Sequence, residues 1–100
     1  MAEPGEPISA DGWLRRVLTI ANQRGLHARA AAKFVKLAGQ FDAEVSVAKS
    51  DQAASGNSIM GLMMLAAGPG CSIELKTHGR QARQAIDALG RLVENGFDES

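Results

Sequence analysis

The apolar stripe of the last predicted helix constrains most strongly what this chain can fold into. Between about Gln81 and Asn95, apolar residues recur at helical spacing on one wide face, and Gly96 ends the pattern. The stripe comprises Ala82, Ala85, Ile86, Leu89, Leu92 and Val93. A one-sided helix must lie on another layer, and 100 residues provide one modest core. We therefore expect a single domain of short, layered elements.

Strand-like and helix-like patterns alternate in the first part of the chain. Residues 13–20 are rich in strand formers and favour a strand, in which Arg16 interrupts an otherwise apolar inner side. A turn centred on Gly25 follows, and apolar residues then repeat at helical spacing until Gly39. The first strand is therefore predicted to lead directly into the first helix.

The remaining segments complete the predicted order of elements. Residues 43–48 and 52–55 predict a hairpin, residues 58–67 a short helix, and residues 71–77 a strand. The order is thus β-α-β-β-α-β-α. Helices that follow strands in this way collect on one face of a sheet. We expect an α+β fold, an open-faced two-layer β-sandwich with three helices on one face of a four-stranded antiparallel sheet.

Composition excludes several classes of function. Lys plus Arg and Asp plus Glu both number 11, and aromatic residues make up 4% of the chain, so neither charge nor stacking favours nucleic acid. Cys71 has no disulfide partner, and the chain lacks a recognisable metal-ligand spacing. We expect no metal, no cofactor and no membrane partner, and a cytoplasmic location.

The domain itself is predicted to span residues 13–97. Acidic residues, prolines and glycines dominate residues 1–12, which we expect to form a flexible N-terminal extension. Residues 98–100 are expected to form a C-terminal tail.

The stretch RGLHARAAAKF, residues 24–34, places a histidine where a helix begins. If His27 caps that helix, the backbone amides of Ala28, Arg29 and Ala30 have no acceptor within the helix. Together with the positive end of the helix dipole, they form an anion site beside the imidazole. The pattern favours a histidine that handles an anionic group, and a histidine that only caps the helix is the alternative.

Two motifs resemble the histidine-containing phosphocarrier proteins (HPr) of the phosphoenolpyruvate-dependent phosphotransferase system. The first is Gly25-Leu26-His27-Ala28-Arg29 followed by Ala31-Ala32, and the second is Asn57-Ser58-Ile59-Met60-Gly61-Leu62-Met63. The resemblance covers about residues 13–97 and is more specific than either motif alone. The predicted order of elements is similar to that of the family.

The resemblance implies that the protein carries a phosphoryl group and is not an enzyme. His27 would accept phosphate on Nδ1 from phosphorylated enzyme I and pass it to a histidine of an enzyme IIA protein. Ser58 matches the regulatory serine that an HPr kinase/phosphorylase modifies, although it would also serve as a simple helix cap.

Two arginines are candidates for binding the phosphoryl group. Arg29 offers a planar, charged donor, and Arg24 on the preceding turn adds a second charge. Because a carrier must release its cargo, we expect both side chains to be exposed and to act mainly during transfer. A merely solvated helix charge is the alternative for Arg29.

The short helix after Ser58 is apolar on every side. Leu62 and Leu65 are expected to enter the core, and a domain of this size cannot bury the rest. The remaining apolar residues, Ile59, Met60, Met63 and Met64, predict an exposed patch, which the resemblance assigns to docking of donor and acceptors. Brief contacts of this kind suit a monomer, whereas burial in the core or in a homodimer is the alternative.

Within the family, the chain looks like the nitrogen-related branch. The segments Phe41-Asp42-Ala43-Glu44-Val45 and Asn95-Gly96-Phe97-Asp98 carry that similarity. Ala30 stands where the family usually has proline, which would stiffen the first helical turn. The sequence leaves open whether the acceptor serves sugar uptake or a regulatory circuit. Regulatory docking through the Ser58–Met64 surface with little phosphotransfer is the alternative function.

Overall fold

A computed structural model describes residues 11–99. Most of the predicted N-terminal extension (1–10) and Ser100 of the predicted tail lie outside the described residues. The elements are β1 (Leu14–Thr19), α1 (Ala28–Ala38), β2 (Glu44–Lys49), β3 (Gln52–Ser55), α2 (Ile59–Met64), β4 (Ser72–His78) and α3 (Ala82–Glu94), followed by a 3₁₀ turn at Gly96–Asp98. The predicted order is confirmed.

The four strands form one antiparallel sheet in the order β1-β4-β2-β3. In the β1–β4 pair, Leu14 lies opposite Thr77 and Thr19 lies opposite Ser72. The chain therefore leaves β1 at the end of the sheet where β4 begins, and β4 ends at the opposite end. This register separates the two histidines of the chain, because His27 follows β1 and His78 ends β4.

The core lies between the inner face of the sheet and the helices. Alternate residues of β4, such as Ile73 and Leu75, are buried, and their neighbours are partly or fully exposed. Phe34 of α1 and Leu89 of α3 are buried from the other side. The sheet is thus covered on one face, as the α+β prediction requires.

Arg16 is accommodated by a gap in the last helix. Its Nη2 donates to Asp87 Oδ1 at 2.9 Å and its Nη1 to the Ile86 carbonyl at 3.4 Å. A Cβ at position 90 would lie 2.4 Å from Arg16 Nη1, so Gly90 provides the space. The interruption in the strand pattern is therefore matched by a glycine in the helix that packs on it.

Two element boundaries differ from the prediction. The second helix ends at Met64 rather than Ala67, because Leu65 is its C-cap and Ala66 has a positive φ of 52°. The last strand, predicted over residues 71–77, spans Ser72–His78. His78 pairs with Glu44 of β2, which extends the strand to that residue, and its ring stacks on Trp13 with 5.1 Å between ring centroids.

Candidate functional site

The loop before α1 is fixed by a close backbone approach. Gly25 has a φ of 62°, and a Cβ there would lie 2.2 Å from the Ala67 carbonyl oxygen. The next amide, that of Leu26, donates to the same oxygen at 2.9 Å. Only glycine fits this approach without moving the backbone. The contact joins the loop that carries His27 to the segment that follows α2.

His27 caps α1 with its side chain as well as its backbone. Its carbonyl accepts from the Ala31 amide at 2.8 Å, and its ring Nδ1 accepts from the Arg29 amide at 3.3 Å. An amide nitrogen can only donate, so Nδ1 carries a lone pair in this arrangement. The cap predicted from the sequence is present, and Nδ1 faces the first turn of the helix.

The other ring nitrogen of His27 contacts Glu99. Nε2 lies against Glu99 Oε2, and Glu99 Oε1 accepts from Asn22 Nδ2 at 2.9 Å. The hydrogen bond from Asn22, then the contact with His27, hold the pKa of Glu99 below its ordinary value. The carboxylate is therefore ionised at neutral pH and acts as an acceptor for Nε2.

The segment from Phe97 to Glu99 is held against α1, and this places Glu99 beside the His27 ring. Phe97 is fully buried with a positive φ of 57°, and its carbonyl accepts from Lys33 Nζ at 2.8 Å. Asn22 also donates to the Gly25 carbonyl at 2.9 Å. Glu99 belongs to the segment predicted as a tail, so sequence reasoning missed it, together with Asn22 and Lys33. The Asn95-Gly96-Phe97-Asp98 ending indicated a branch of the family and did not predict this contact.

Cationic side chains lie around a cavity that is also lined by Glu99, the residue in contact with His27. The cavity has a volume of about 660 Å³, and Arg24, Arg29 and Lys33 line it together with Glu99. Arg24 and Arg29 are exposed, as expected. The three cations and the amides at the start of α1 make this side of the molecule suited to an anion.

Ser58 and the helix that follows it form a second candidate surface. Ser58 Oγ accepts from the Gly61 amide at 2.9 Å and caps α2. Leu62 and Leu65 are buried, as expected. Met60 and Met64 are 70% and 75% exposed, and Ile59 and Met63 are exposed to a smaller extent. These four residues, Ile59, Met60, Met63 and Met64, are called the α2 patch below.

Within residues 11–99, no three His, Cys, Asp or Glu side chains are grouped closely enough to hold a metal ion. None of the helices in this range is sufficiently long and apolar to cross a membrane.

Comparison with known proteins gives one consistent result. Residues 14–95 match the family PTS-HPr, described as the PTS HPr component phosphorylation site. The phosphocarrier protein HPr of Pseudomonas putida is 53% identical over 85 residues, which cover 84% of this chain and 94% of that protein. The phosphocarrier protein NPr of Shewanella violacea is 46% identical over 87 residues, covering 87% and 96%.

Solved structures agree with the sequence comparisons. The crystal structure of HPr-C-His from Thermoanaerobacter tengcongensis superposes with a TM-score of 0.82 at 37% identity. The superposition covers 86% of this chain and 97% of that one. The family match over residues 14–95 includes β1 through α3, and therefore His27 and the α2 patch.

Proposed function

The chain belongs to the HPr family of phosphocarrier proteins of the phosphotransferase system, and from this premise we propose that His27 is the residue that carries the phosphoryl group, on Nδ1. The supporting observation is the cap of α1, in which Nδ1 presents a lone pair to the helix N-terminus. The proposed donor is phosphorylated enzyme I and the proposed acceptor is a histidine of an enzyme IIA protein.

The hydrogen bond between Nδ1 and the Arg29 amide marks where the phosphoryl group would bind. At 3.3 Å it is long for a hydrogen bond, so little is lost when phosphorus takes the lone pair. The phosphoryl oxygens would then accept from the same amide and from its neighbours in the first turn of α1. The helix N-terminus thus serves both the unphosphorylated and the phosphorylated protein.

The exposed arginines fit a carrier that must release its cargo. A buried, bidentate pair would hold phosphate too tightly, whereas the solvent-exposed Arg29 and Arg24 interact weakly with a resting phosphohistidine. During transfer, charge spreads over the phosphoryl oxygens inside a partner interface that excludes water, and the same guanidinium groups then interact more strongly.

Phosphorylation with purified enzyme I and phosphoenolpyruvate tests the proposal. We expect one phosphate per chain that is labile in acid and stable in base, because a phosphoramidate hydrolyses in acid where a serine ester survives. His27→Ala should abolish the label, and His78→Ala, which alters the other histidine, should retain it. An acid-labile label that persists in His27→Ala would overturn the proposal.

For the α2 patch we propose a role in docking both the donor and the acceptor. Met60 and Met64 are unbranched and largely exposed, and such side chains adapt to partners of different shape. The Leu26–Ala67 hydrogen bond ties the loop of His27 to the segment that follows α2. A partner seated on the patch would therefore meet the loop that carries the histidine. We propose that the protein acts as a monomer in these brief contacts.

Ser58 is the proposed site of regulation by an ATP-dependent kinase of the HPr kinase/phosphorylase type. A phosphate on its Oγ would remain at the start of α2, where amides favour negative charge, and would add about two charges beside the α2 patch. We expect the fold to tolerate phosphorylation and donor docking to weaken. Unchanged phosphorylation of His27 in stoichiometrically Ser58-phosphorylated protein would contradict this role, and Ser58→Ala is the control for the site of modification.

The nitrogen-related branch is the proposed assignment within the family, supported by the similarity to the Shewanella violacea NPr. Competition between a sugar-type and a nitrogen-type enzyme IIA for the phosphorylated protein would test it. Faster transfer to the nitrogen-type acceptor is expected, and a preference for the sugar-type acceptor would reverse the assignment.

A further inference from the structure

We infer that Glu99 is a positioning residue for His27: its carboxylate keeps the ring proton on Nε2 and so leaves the Nδ1 lone pair facing the start of α1. The inference rests on the proposed role of His27 as phosphoryl carrier. It concerns a residue outside both sequence motifs and beyond the matched residues 14–95.

Two independent contacts assign the same tautomer to the ring. The Arg29 amide can only donate, and it points at Nδ1. The Glu99 carboxylate, when ionised, can only accept, and it lies against Nε2. The Nε2–H tautomer satisfies both contacts, whereas the Nδ1–H tautomer satisfies neither. The heavy-atom arrangement therefore selects one of the two neutral forms of the imidazole.

Glu99 is itself held, so it constrains the orientation of the ring as well as its proton. Asn22 is buried and uses its amide nitrogen to bind both Glu99 Oε1 and the Gly25 carbonyl. The carboxylate is thereby tied to the loop that carries His27. The side chains of His27 and Glu99 are only 22% and 19% exposed, so water competes little for the contact. This arrangement resembles the way a carboxylate orients a histidine in other active sites.

The transfer step balances with the proton left in place. The Nδ1 lone pair forms the bond to phosphorus while the P–N bond of the donor phosphohistidine breaks, and the donor nitrogen retains that electron pair. The Nε2 proton stays on His27, so the ring gains one positive charge as the bond forms. The Glu99 carboxylate already lies beside that charge and stabilises it. On transfer to the acceptor the steps reverse, and again no proton must leave His27.

NMR of the ¹⁵N-labelled protein tests the tautomer without any phosphotransfer partner. Two-bond ¹H–¹⁵N correlations, recorded at a pH where the rings are neutral, distinguish Nε2–H from Nδ1–H for each histidine. We expect almost pure Nε2–H at His27 in the wild type. Glu99→Ala should raise the Nδ1–H fraction several-fold, and Glu99→Gln should restore the wild-type pattern in part, because its amide oxygen still accepts from Nε2. His78 in the same spectrum is the internal reference.

Transfer kinetics provide the second readout. Phosphorylation by enzyme I should slow by about twofold to tenfold in Glu99→Ala, the size expected for one hydrogen bond, with partial rescue in Glu99→Gln. Glu44→Ala, which removes the carboxylate beside His78, should match the wild type. The Gln variant also keeps the test valid if the Ala variant is poorly folded.

The outcomes separate this inference from the proposed function. A His27 tautomer that is mixed in the wild type, or unchanged in Glu99→Ala and Glu99→Gln, overturns the role of Glu99 even if His27 is phosphorylated. A wild-type protein that enzyme I cannot phosphorylate at His27 overturns the proposed function, while the spectrum still decides which tautomer Glu99 selects.

Discussion

The two histidines of this protein each lie beside a glutamate, and yet their surroundings differ. His78 Nδ1 is 3.5 Å from Glu44 Oε1, and these side chains are 42% and 75% exposed. The ring stacks on Trp13 at the end of β4. The side chains of His27 and Glu99 are 22% and 19% exposed. In addition, Nδ1 of His27 accepts a hydrogen bond from a helix amide. His78 thus lies at a strand end, whereas both ring nitrogens of His27 have a polar partner.

Each histidine has a carboxylate beside it, so the clearest difference between the two pairs is the backbone around the ring. His78 is the last residue of β4, whereas Nδ1 of His27 accepts from an amide at the start of a helix. At His27 the Arg29 amide in the first turn of α1 and the carboxylate of Glu99 contact the ring, and Arg24 and Arg29 line a cavity together with Glu99. Substitutions near His27 should therefore affect phosphoryl transfer more than matched substitutions near His78.

The largest difference is expected between removing an arginine near His27 and removing one near His78. Arg29→Ala should slow transfer by about tenfold to a thousandfold in both directions, the range for loss of one electrostatic donor. Arg80→Ala removes an exposed arginine just after His78, at the opposite end of the sheet, and should leave the rate unchanged. Single-turnover rates with enzyme I and enzyme IIA provide the measurement. If the two variants transfer phosphate at the same rate, the amides at the start of α1 stabilise the transferred group without the Arg29 side chain.

The next effect concerns the loop that carries His27. Gly25→Ala places a methyl group against the Ala67 carbonyl and imposes a positive φ on alanine, so the free energy of unfolding should fall by more than about 2 kcal/mol. Gly68→Ala is the control, since no atom lies within 4 Å of a Cβ there. Urea denaturation measures both. Similar stabilities would mean that the loop relaxes without cost.

Much of this architecture follows from sequence patterns alone. The order of elements, the antiparallel sheet and the cap at His27 were all predicted, because periodicity and capping are local properties. Glu99 was not, since its position depends on how Phe97 is buried and on a turn with positive φ that no local pattern indicates. The end of α2 was also misplaced, because Leu65–Ala67 are apolar enough to continue a helix, whereas the Ala66 backbone has a positive φ.

A smaller effect is expected when an exposed apolar residue is replaced in the α2 patch, and none when one is replaced on the open face of the sheet. Met60 is 70% exposed in the α2 patch, and Val17 is 66% exposed on the open face of the sheet. Met60→Ser should raise the KM for enzyme I by about fivefold, which corresponds to about 1 kcal/mol of binding free energy. Val17→Ser removes a comparable exposed apolar side chain and should leave KM unchanged. Equal KM values would remove the α2 patch from the docking surface.

The smallest effect is a pH dependence of stability that we expect for the His27–Glu99 pair and not for the His78–Glu44 pair. The hydrogen bond from Asn22, followed by His27 and the charge of Lys33, lowers the pKa of Glu99 in the folded state relative to 4.5. Between the lowered pKa and 4.5, the unfolded chain binds more protons than the folded one. The contribution of Glu99 to stability is therefore fully present above pH 4.5 and is lost as the pH falls through the lowered value.

The wild type and Glu99→Gln isolate this contribution. Their difference in free energy of unfolding should be largest above pH 4.5 and should shrink progressively below it, because a protonated carboxyl and an amide are both neutral. Denaturant titrations over a series of acidic pH values measure the difference. Glu44→Gln, at a side chain 75% exposed, controls for the loss of a surface charge. A difference that stays constant with pH, or that grows as the pH falls, would mean that the ionised carboxylate of Glu99 is not stabilised by Asn22 and His27. The contrast between the two glutamate–histidine pairs would then rest on the helix amides alone.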